Sequence, residues 1–314
     1  MNSRSFNCML VVGTTASGKT KLAVRLAHNL AGAIISIDSR QVYRRMNIGT
    51  GKDYAEYTVN GKNIPVHLLD VAEPGTEFHL HSFLQIFSNV YSQLQQKKVL
   101  PVLCGGTALY IQALLKEFEY TSVPVNDALR MQLATLPKDA LMKHIEGLST
   151  TSFSSKADLS TTRRIIRAIE ISTFLHQHSL AKLSLPKLKP LVLGIDLPRE
   201  IRRQRIEERL LNRLQNGLID EVESLLNTGV GAAQLIRYGL EYKFIVEYLK
   251  RQVTYAEMQT QLTIAIQQFA RRQMTWFRKF EREGLPIHWI DGTLTTAEQA
   301  NIALNLVSSQ TTHL

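Results

Sequence analysis

Gly13-Thr14-Thr15-Ala16-Ser17-Gly18-Lys19-Thr20 stands between an apolar run, Cys8–Val12, and a segment of helical periodicity, Lys19–Leu30. It fits G-x-x-x-x-G-K-[ST], the pattern of a P-loop, in the strand–loop–helix setting the motif requires. Glycines let the backbone curl so that several N–H groups point inward. The helix N-terminus adds positive potential, Lys19 adds a full charge, and the Thr20 hydroxyl offers a ligand to Mg2+. The plainer alternative is a glycine turn that caps a helix.

Outward from this loop the chain alternates strands and helices. Ala33–Ile37 reads as a second buried strand ending at Asp38, and Ile64–Leu69 as a third. An amphipathic stretch follows at His79–Gln96. Val99–Leu103 reads as a fourth strand, ending at Cys104-Gly105-Gly106-Thr107, with Ala108–Glu117 helical. Such alternation predicts an α/β fold with a P-loop NTPase-like parallel sheet core. Ligands of such sheets sit at the carboxyl ends of strands, where three chemical-looking motifs lie, after Val12, Ile37 and Leu103. From Thr121 to Leu185 the pattern turns helical, so residues 121–185 are expected to form a helical insertion. The core is then residues 1–120 and 186–314. Leu191–Leu197 resumes the sheet, a long basic helix spans about Ala256–Phe280, and Ile287–Ile290 supplies a last strand.

The balance of 37 Lys+Arg against 27 Asp+Glu gives a net charge of +10, which suits a polyanionic partner. Cys8 and Cys104 lie in apolar runs without metal-ligand spacing, so they read as buried strand cysteines in a reducing compartment. Met1–Asn7 is short and polar, with no signal or transit pattern, and no apolar run is long enough to span a membrane. A cytoplasmic protein without membrane attachment or an obligatory protein partner is expected.

A P-loop specifies phosphate, not a reaction. P-loop ATPases hold Mg2+ with a carboxylate on a second strand, whereas Val99–Leu103 ends in Cys-Gly-Gly-Thr. Asp38 and Asp70 do end strand-like runs. The absence weakens an ATPase reading and leaves room for a diphosphate that departs as a leaving group. Asp38-Ser39-Arg40-Gln41-Val42-Tyr43 places a carboxylate beside the phosphate loop, where it could receive a proton from a poor nucleophile. An Asp before a helical turn is also a common N-cap, and position alone favours the cap.

The whole constellation resembles the tRNA dimethylallyltransferase family. It comprises Gly13–Thr20, Asp38–Tyr43 with Met46-Asn47-Ile48-Gly49-Thr50, and Gly105-Gly106-Thr107 with Leu109-Tyr110. It continues with Arg163–Glu170, Arg209 with Gly217–Val222, and Arg271–Arg278, in order from about Leu10 to Asp291. The resemblance implies transfer of a dimethylallyl group from dimethylallyl diphosphate to the N6 amine of the adenosine 3′-adjacent to the tRNA anticodon, position 37. It implies that the P-loop residues hold the diphosphate with Mg2+ and that Lys19, Asp38 and Thr107 serve catalysis, Asp38 as base. Ser39, Arg40 and Gln41 would touch the flipped base and its neighbours, and Thr107 the tRNA near the target. Arg163, Arg164, Ile165, Ile166 and Arg167 would bind the anticodon arm, with Arg130 a further contact.

Three segments depart from the family's pattern. Gly13-Thr14-Thr15 replaces Gly-Pro-Thr. Gly49-Thr50-Gly51-Lys52-Asp53 replaces Gly-Thr-Ala-Lys-Pro. Ile236-Arg237-Tyr238-Gly239-Leu240-Glu241-Tyr242-Lys243 stands where the family has Ile-Gly-Tyr-Lys-Glu. On pattern alone, Arg271–Arg278 reads as a half-buried helix with a solvated charged face, and Trp276 and Phe277 as core. The competing functions are an enzyme acting on free nucleotide (an adenylate isopentenyltransferase or a nucleotide kinase) and a non-catalytic RNA-binding relative. The first needs neither the insertion nor the charge, and the second would not need Lys19, Thr20, Asp38 and Thr107.

Overall fold

Six apolar segments build one parallel sheet in this computed structural model, which describes residues 3–116, 118–180 and 183–312. They are β1 (Cys8–Gly13), β2 (Ala33–Ser36), β3 (Val66–His67), β4 (Pro101–Cys104), β5 (Pro190–Asp196) and β6 (His288–Asp291). The order is β3-β2-β4-β1-β5-β6, every pair parallel. β1 is central and buried at all six positions, as a near-continuous apolar run in a parallel sheet should be. The carboxyl ends of β1, β4 and β2 are level: Cys104 pairs in register with Val11 on one side and Ser36 on the other. The three motif-bearing loops therefore leave the sheet side by side.

The third strand is shorter than the expected Ile64–Leu69. Leu68 and Asp70 take left-handed backbone angles, φ 62° and 55°, which end the extended run after His67. The expected structure at Met1, Asn2 and Glu117 lies outside the described residues, as do Ala181 and Lys182 of the insertion and His313 and Leu314.

The helices of the sheet-bearing unit are α1 (Lys19–Asn29), α2 (Leu80–Gln96) and α3 (Ala108–Leu115). Those of the insertion are α4 (Asp127–Ala134), α5 (Lys138–Glu146) and α6 (Thr162–Gln177). The chain then continues through α7 (Arg199–Gln215), α8 (Leu218–Asn227), α9 (Ala232–Tyr238), α10 (Leu240–Leu249), α11 (Tyr255–Arg282) and α12 (Thr296–Ser309). α1 buries Leu22, Ala23, Leu26 and Ala27, an i, i+4 stripe that packs with Met9, Val11 and Val102 of the sheet. Each fully buried leucine there contributes about 1.5–3 kcal/mol. A second apolar cluster joins α7 to α11 with Val42 and Met46, the segment that follows Asp38. α11 starts with a capping box of Thr254 and Glu257 and buries Met258, Leu262, Ile266, Ala270, Gln273 and Phe277 along one face.

The chain divides into two compact units, Met1–Leu115 with Pro186–Leu314, and Lys116–Leu185. The second unit has its own small apolar clusters, one of them Leu133, Leu141, Ile165 and Ile169. No helix among the described residues is long and apolar enough to cross a membrane.

Candidate active site

The P-loop leaves β1 and turns into α1 with Gly18 as the N-cap residue, which contributes no side-chain hydrogen bond. The first N–H groups of α1 are thus free of a side-chain cap, the arrangement that receives an anion. Ser17 N donates to Thr14 O (3.2 Å), and Lys19 Nζ lies back along the loop, 3.4 Å from Thr14 O. Burial lowers the Lys19 pKa from its ordinary 10.5, Asp38 pulls it up, and Arg209 and Arg40 push it down. An arriving anion would relieve that strain among like charges. Thr15 and Thr20 line the same cleft.

No helix follows Asp38, so it is not a helix N-cap. Its Oδ1 accepts from Arg40 N (3.0 Å), closing a tight turn, and the chain runs on to a bridge between Tyr43 and Ala72. The turn is braced by Thr107, whose Oγ1 accepts from Ser39 N (3.0 Å) and donates to Ser39 Oγ (3.3 Å). Asp38 lines the cleft together with Lys19 and Thr20. Gln41 turns its amide inward: Ser36 Oγ donates to Oε1 (2.9 Å) and Nε2 donates to Gly51 O (3.1 Å). Gln41 therefore ties the Asp38 turn to the 46–53 loop.

Three residues outside the P-loop and the Asp38 turn hold the cleft together. Gln273 of α11 accepts from Thr15 N (2.8 Å) and donates to Gly106 O (3.1 Å), bridging the P-loop to the loop after β4. A side chain at position 106 would run into the Gln273 amide, which is why a glycine stands there. Glu221 of α8 accepts from Asn47 N (2.7 Å), Ile48 N (2.7 Å), Gly49 N (3.0 Å) and Tyr242 Oη (2.8 Å). One carboxylate thus fixes the loop that leads to Thr50 and Gly51. Glu241 of α10 accepts from Arg40 Nη1 (2.6 Å) and lies 3.7 Å from Arg213 Nη1. Only the type and spacing of Gly217–Val222 hinted at Glu221. Gln273 reaches across 258 and 167 residues of chain to Thr15 and Gly106, and Glu241 across 201 to Arg40.

The cleft is lined by four cations, Lys19, Arg40, Arg209 and Arg213. Burial works against the Arg40 charge, but Glu241 and Asp38 outweigh it and hold the pKa above the ordinary value. Burial and then Arg209 bring Arg213 down to about 10, with Glu241 opposing. Burial pushes the Cys104 thiol up to about 11, so at neutral pH it is no thiolate nucleophile. Phe269 stands 5.7 Å from the Arg40 guanidinium carbon, measured to the ring centroid.

The residues fit a Mg2+ ion carried by a phosphate ligand. The Thr20 hydroxyl lies in the cleft and offers a hard oxygen donor. Among the described residues no group of three or more His, Cys, Asp or Glu forms a metal cluster, so the phosphate's own oxygens would complete the shell.

In the insertion the structure corrects one expected contact. Ile165 is fully buried in the Leu133–Leu141–Ile169 cluster and presents nothing to a ligand, because an amphipathic helix turns only part of a contiguous motif outward. Ile166 is partly buried against the same cluster. Arg130 and Arg167 both serve Glu170: Arg130 Nε and Nη2 donate at 3.0 and 2.9 Å, and Arg167 Nη1 also bonds its Oε2. Arg167 Nη2 donates further to Val123 O (2.8 Å). Arg164 pairs with Asp158 (2.8 Å) on the surface. Arg163 is exposed, with no hydrogen bond or ion pair among the described residues. On α11, Arg271, Arg272 and Arg278 are exposed and Phe277 is buried, as the pattern alone suggested, whereas Trp276 is only half-buried.

A P-loop at the carboxyl end of a parallel sheet, with the Asp38 carboxylate in the same cleft after the strand two places away, defines a phosphate-handling α/β protein. The family described as IPP transferase matches residues 41–280, and isopentenyl transferase matches residues 6–68. The chain is 44% identical to the tRNA dimethylallyltransferase 1 of Parabacteroides distasonis, over 98% of its length and 99% of that protein's. It resembles the crystal structure of the Bacillus halodurans tRNA isopentenylpyrophosphate transferase with a TM-score of 0.70 at 28% identity, covering 98% and 97% of the two chains. The fold also matches that of a eukaryotic dimethylallyltransferase acting on tRNA, with a TM-score of 0.74 at 20% identity over 98% of this chain and 80% of that one. The chain belongs to the IPP transferase family, and it is an enzyme of the transferase class.

Proposed function

We propose that the chain transfers the dimethylallyl group of dimethylallyl diphosphate to the N6 amine of the adenosine at position 37 of tRNA. The single observation that carries the reading is the convergence of Lys19 of the P-loop and Asp38 on one cleft. The cationic lining takes the diphosphate: the N–H groups of α1, Lys19 and Arg209 meet its oxygens, and Phe269 and Tyr57 offer apolar surface to the dimethylallyl tail. The adenine leaves the base stack to reach Asp38.

In the transfer step the N6 lone pair forms a bond to C1 of the dimethylallyl group. The C1–O bond to the diphosphate breaks, and its electron pair leaves with pyrophosphate. Lys19 and the loop N–H groups stabilise the negative charge that builds on the leaving oxygen. Asp38 accepts the N6 proton, so the amine ends neutral and the carboxylate ends protonated. Mg2+, when bound with the diphosphate at Thr20, adds positive charge beside the leaving group. The turn bond to Arg40 N and the Thr107–Ser39 brace keep the carboxylate aimed. Ser39, Arg40 and Gln41 shape the acceptor wall, and Thr107 lies close to the target nucleotide. Arg163 and Arg164 supply charge to the anticodon arm, Arg130 and Arg167 acting chiefly through Glu170. A tRNA acceptor makes the cytoplasm the site of reaction.

Asp38→Asn tests the mechanism. Asn keeps the turn hydrogen bond but cannot take the proton, so single-turnover transfer at saturating substrates should fall about a hundredfold or more. Binding of tRNA and donor should be nearly unchanged. A folded Asp38→Asn protein with a near-normal single-turnover rate would require another proton acceptor.

A further inference from the structure

Asp53 lies at the end of the Gly49–Asp53 loop and forms an ion pair with Arg209, Oδ2 to Nη2, at 2.8 Å. Arg209 borders two spaces. One is the cleft with Lys19 and Thr20; the other is an open vestibule that Arg209 and Arg213 line together with Asp53 and Arg205. The loop and the two arginines form one packed unit. Gly51 has φ 72°, and a Cβ there would lie 2.7 Å from Arg209 Nη2 and would run into the Arg213 guanidinium. Arg213 has Glu241 as its acid partner and Arg40 shares it, so Asp53 is the carboxylate bonded to Arg209.

Taking the P-loop as the diphosphate site, as above, we infer that Asp53 is a stand-in anion for Arg209. It holds the guanidinium at the rim when the cleft is empty and gives it up to the diphosphate. It then competes for Arg209 again when pyrophosphate must leave. The magnitudes permit this exchange. The Asp53 and Arg209 side chains are 45% and 33% exposed, and an ion pair that open to water is weak. A diphosphate held in the enclosed cleft carries more charge and meets less screening, so Arg209 moves toward it. What Asp53 retains is a small opposing pull on a product that four nearby cations would otherwise hold tightly. Asp53 is therefore a positioning residue that weakens product binding, and it touches no reacting atom.

The test is calorimetric binding of inorganic pyrophosphate with Mg2+ to the full chain, alongside single-turnover transfer. Asp53→Asn should tighten pyrophosphate about two- to fivefold, slow its release by a similar factor and leave the single-turnover rate unchanged. Asp53→Glu, which keeps the anion, should bind pyrophosphate like the parent. A folded Asp53→Asn protein with unchanged or weaker pyrophosphate binding would overturn the exchange and make Asp53 a simple support for Arg209. Lys19→Ala separates this from the underlying reading. If Lys19→Ala weakens pyrophosphate while Asp53→Asn does not tighten it, only the exchange fails. If Lys19→Ala binds as well as the parent, the P-loop site and the exchange fall together.

Discussion

Two buried glutamates, Glu241 in the sheet-bearing unit and Glu170 in the insertion, each hold two arginines, to opposite ends. Glu170 is saturated: it accepts from Asn126 N (2.6 Å), Arg130 and Arg167, and Arg167 spends its remaining donors on backbone carbonyls. In that cluster the carboxylate is fully engaged and most of the guanidinium donors are spent within the fold. Glu241 has one close partner in Arg40 and a distant one in Arg213, while Lys19 and Arg209 add positive charge beside them. The open cluster keeps an appetite for anions. An arginine-rich motif therefore does not by itself mark a binding surface. What matters is how many guanidinium donors the fold has already consumed.

The largest expected effect is at the open cluster. Glu241→Gln leaves volume but frees Arg40 and Arg213, whose displacement by an ångström should lower kcat/KM for transfer about a hundredfold. If Glu241 were only a stabiliser, its loss would lower the melting temperature and leave kcat/KM intact in the folded fraction. At the closed cluster the effect should fall on stability. Glu170→Ala leaves two arginines without their carboxylate and should destabilise the insertion by about 3 kcal/mol, toward the lower end for broken buried pairs because both guanidinium groups are partly exposed. Hydrogen exchange in α4 and α6 would show this, and single-turnover transfer at saturating tRNA should hold.

The same cluster predicts a pH response. Burial alone would raise the Glu170 pKa, but Arg130, Asn126 N and Arg167 outweigh burial and set it below its ordinary 4.5. Below pH 4.5 the unfolded chain takes up a proton that the folded one resists, so stability rises with pH in that window. The contribution is complete above about pH 4.5 and is lost as pH falls through the folded value. Exchange protection of the insertion should decline below pH 4.5, and Glu170→Gln should flatten that decline.

The smallest effect belongs to Arg163, which has kept its donors free. Arg163→Ala should lower tRNA affinity a few-fold and reduce the slope of log K against log salt by about 0.7–0.9. Arg167→Ala should instead behave like a mild Glu170 lesion. An Arg163→Ala protein with the parental salt slope would put that arginine on an ordinary solvated face.

The sequence carried the sheet and the phosphate loop well because both announce themselves locally. β1, β2, β4 and β5 lie within about two residues of their apolar runs, and the Gly13–Thr20 motif sits where its spacing requires. The family and the transfer of a prenyl group to tRNA were likewise legible in the ordered set of motifs. The Asp38 turn was harder, because an N-cap and an aspartate turn share the same first residues and only the chain after Val42 distinguishes them. Gln273, Glu221 and Glu241 act across sequence separations of 167 to 258 residues, and such bonds leave no period to read. The burial of the Ile165 side chain was not legible in a contiguous motif, because a helix buries only every third or fourth position.

The placement of β1 also sets the order in which the protein can be made. Its P-loop strand is made before both of the strands that flank it, β4 and β5, and the pairing partner of Cys8 in β5 is Pro190. Until Pro190–Asp196 has emerged, one edge of the central strand stays unpaired, a sticky edge exposed while the intervening chain is made. The insertion has apolar clusters of its own, and the one built on Leu133, Leu141, Ile165 and Ile169 can condense as soon as Gln177 is out. The cleft matures later still, when Glu221, Glu241 and Gln273 arrive, so no nascent chain can bind diphosphate in a finished site before α11 has been made.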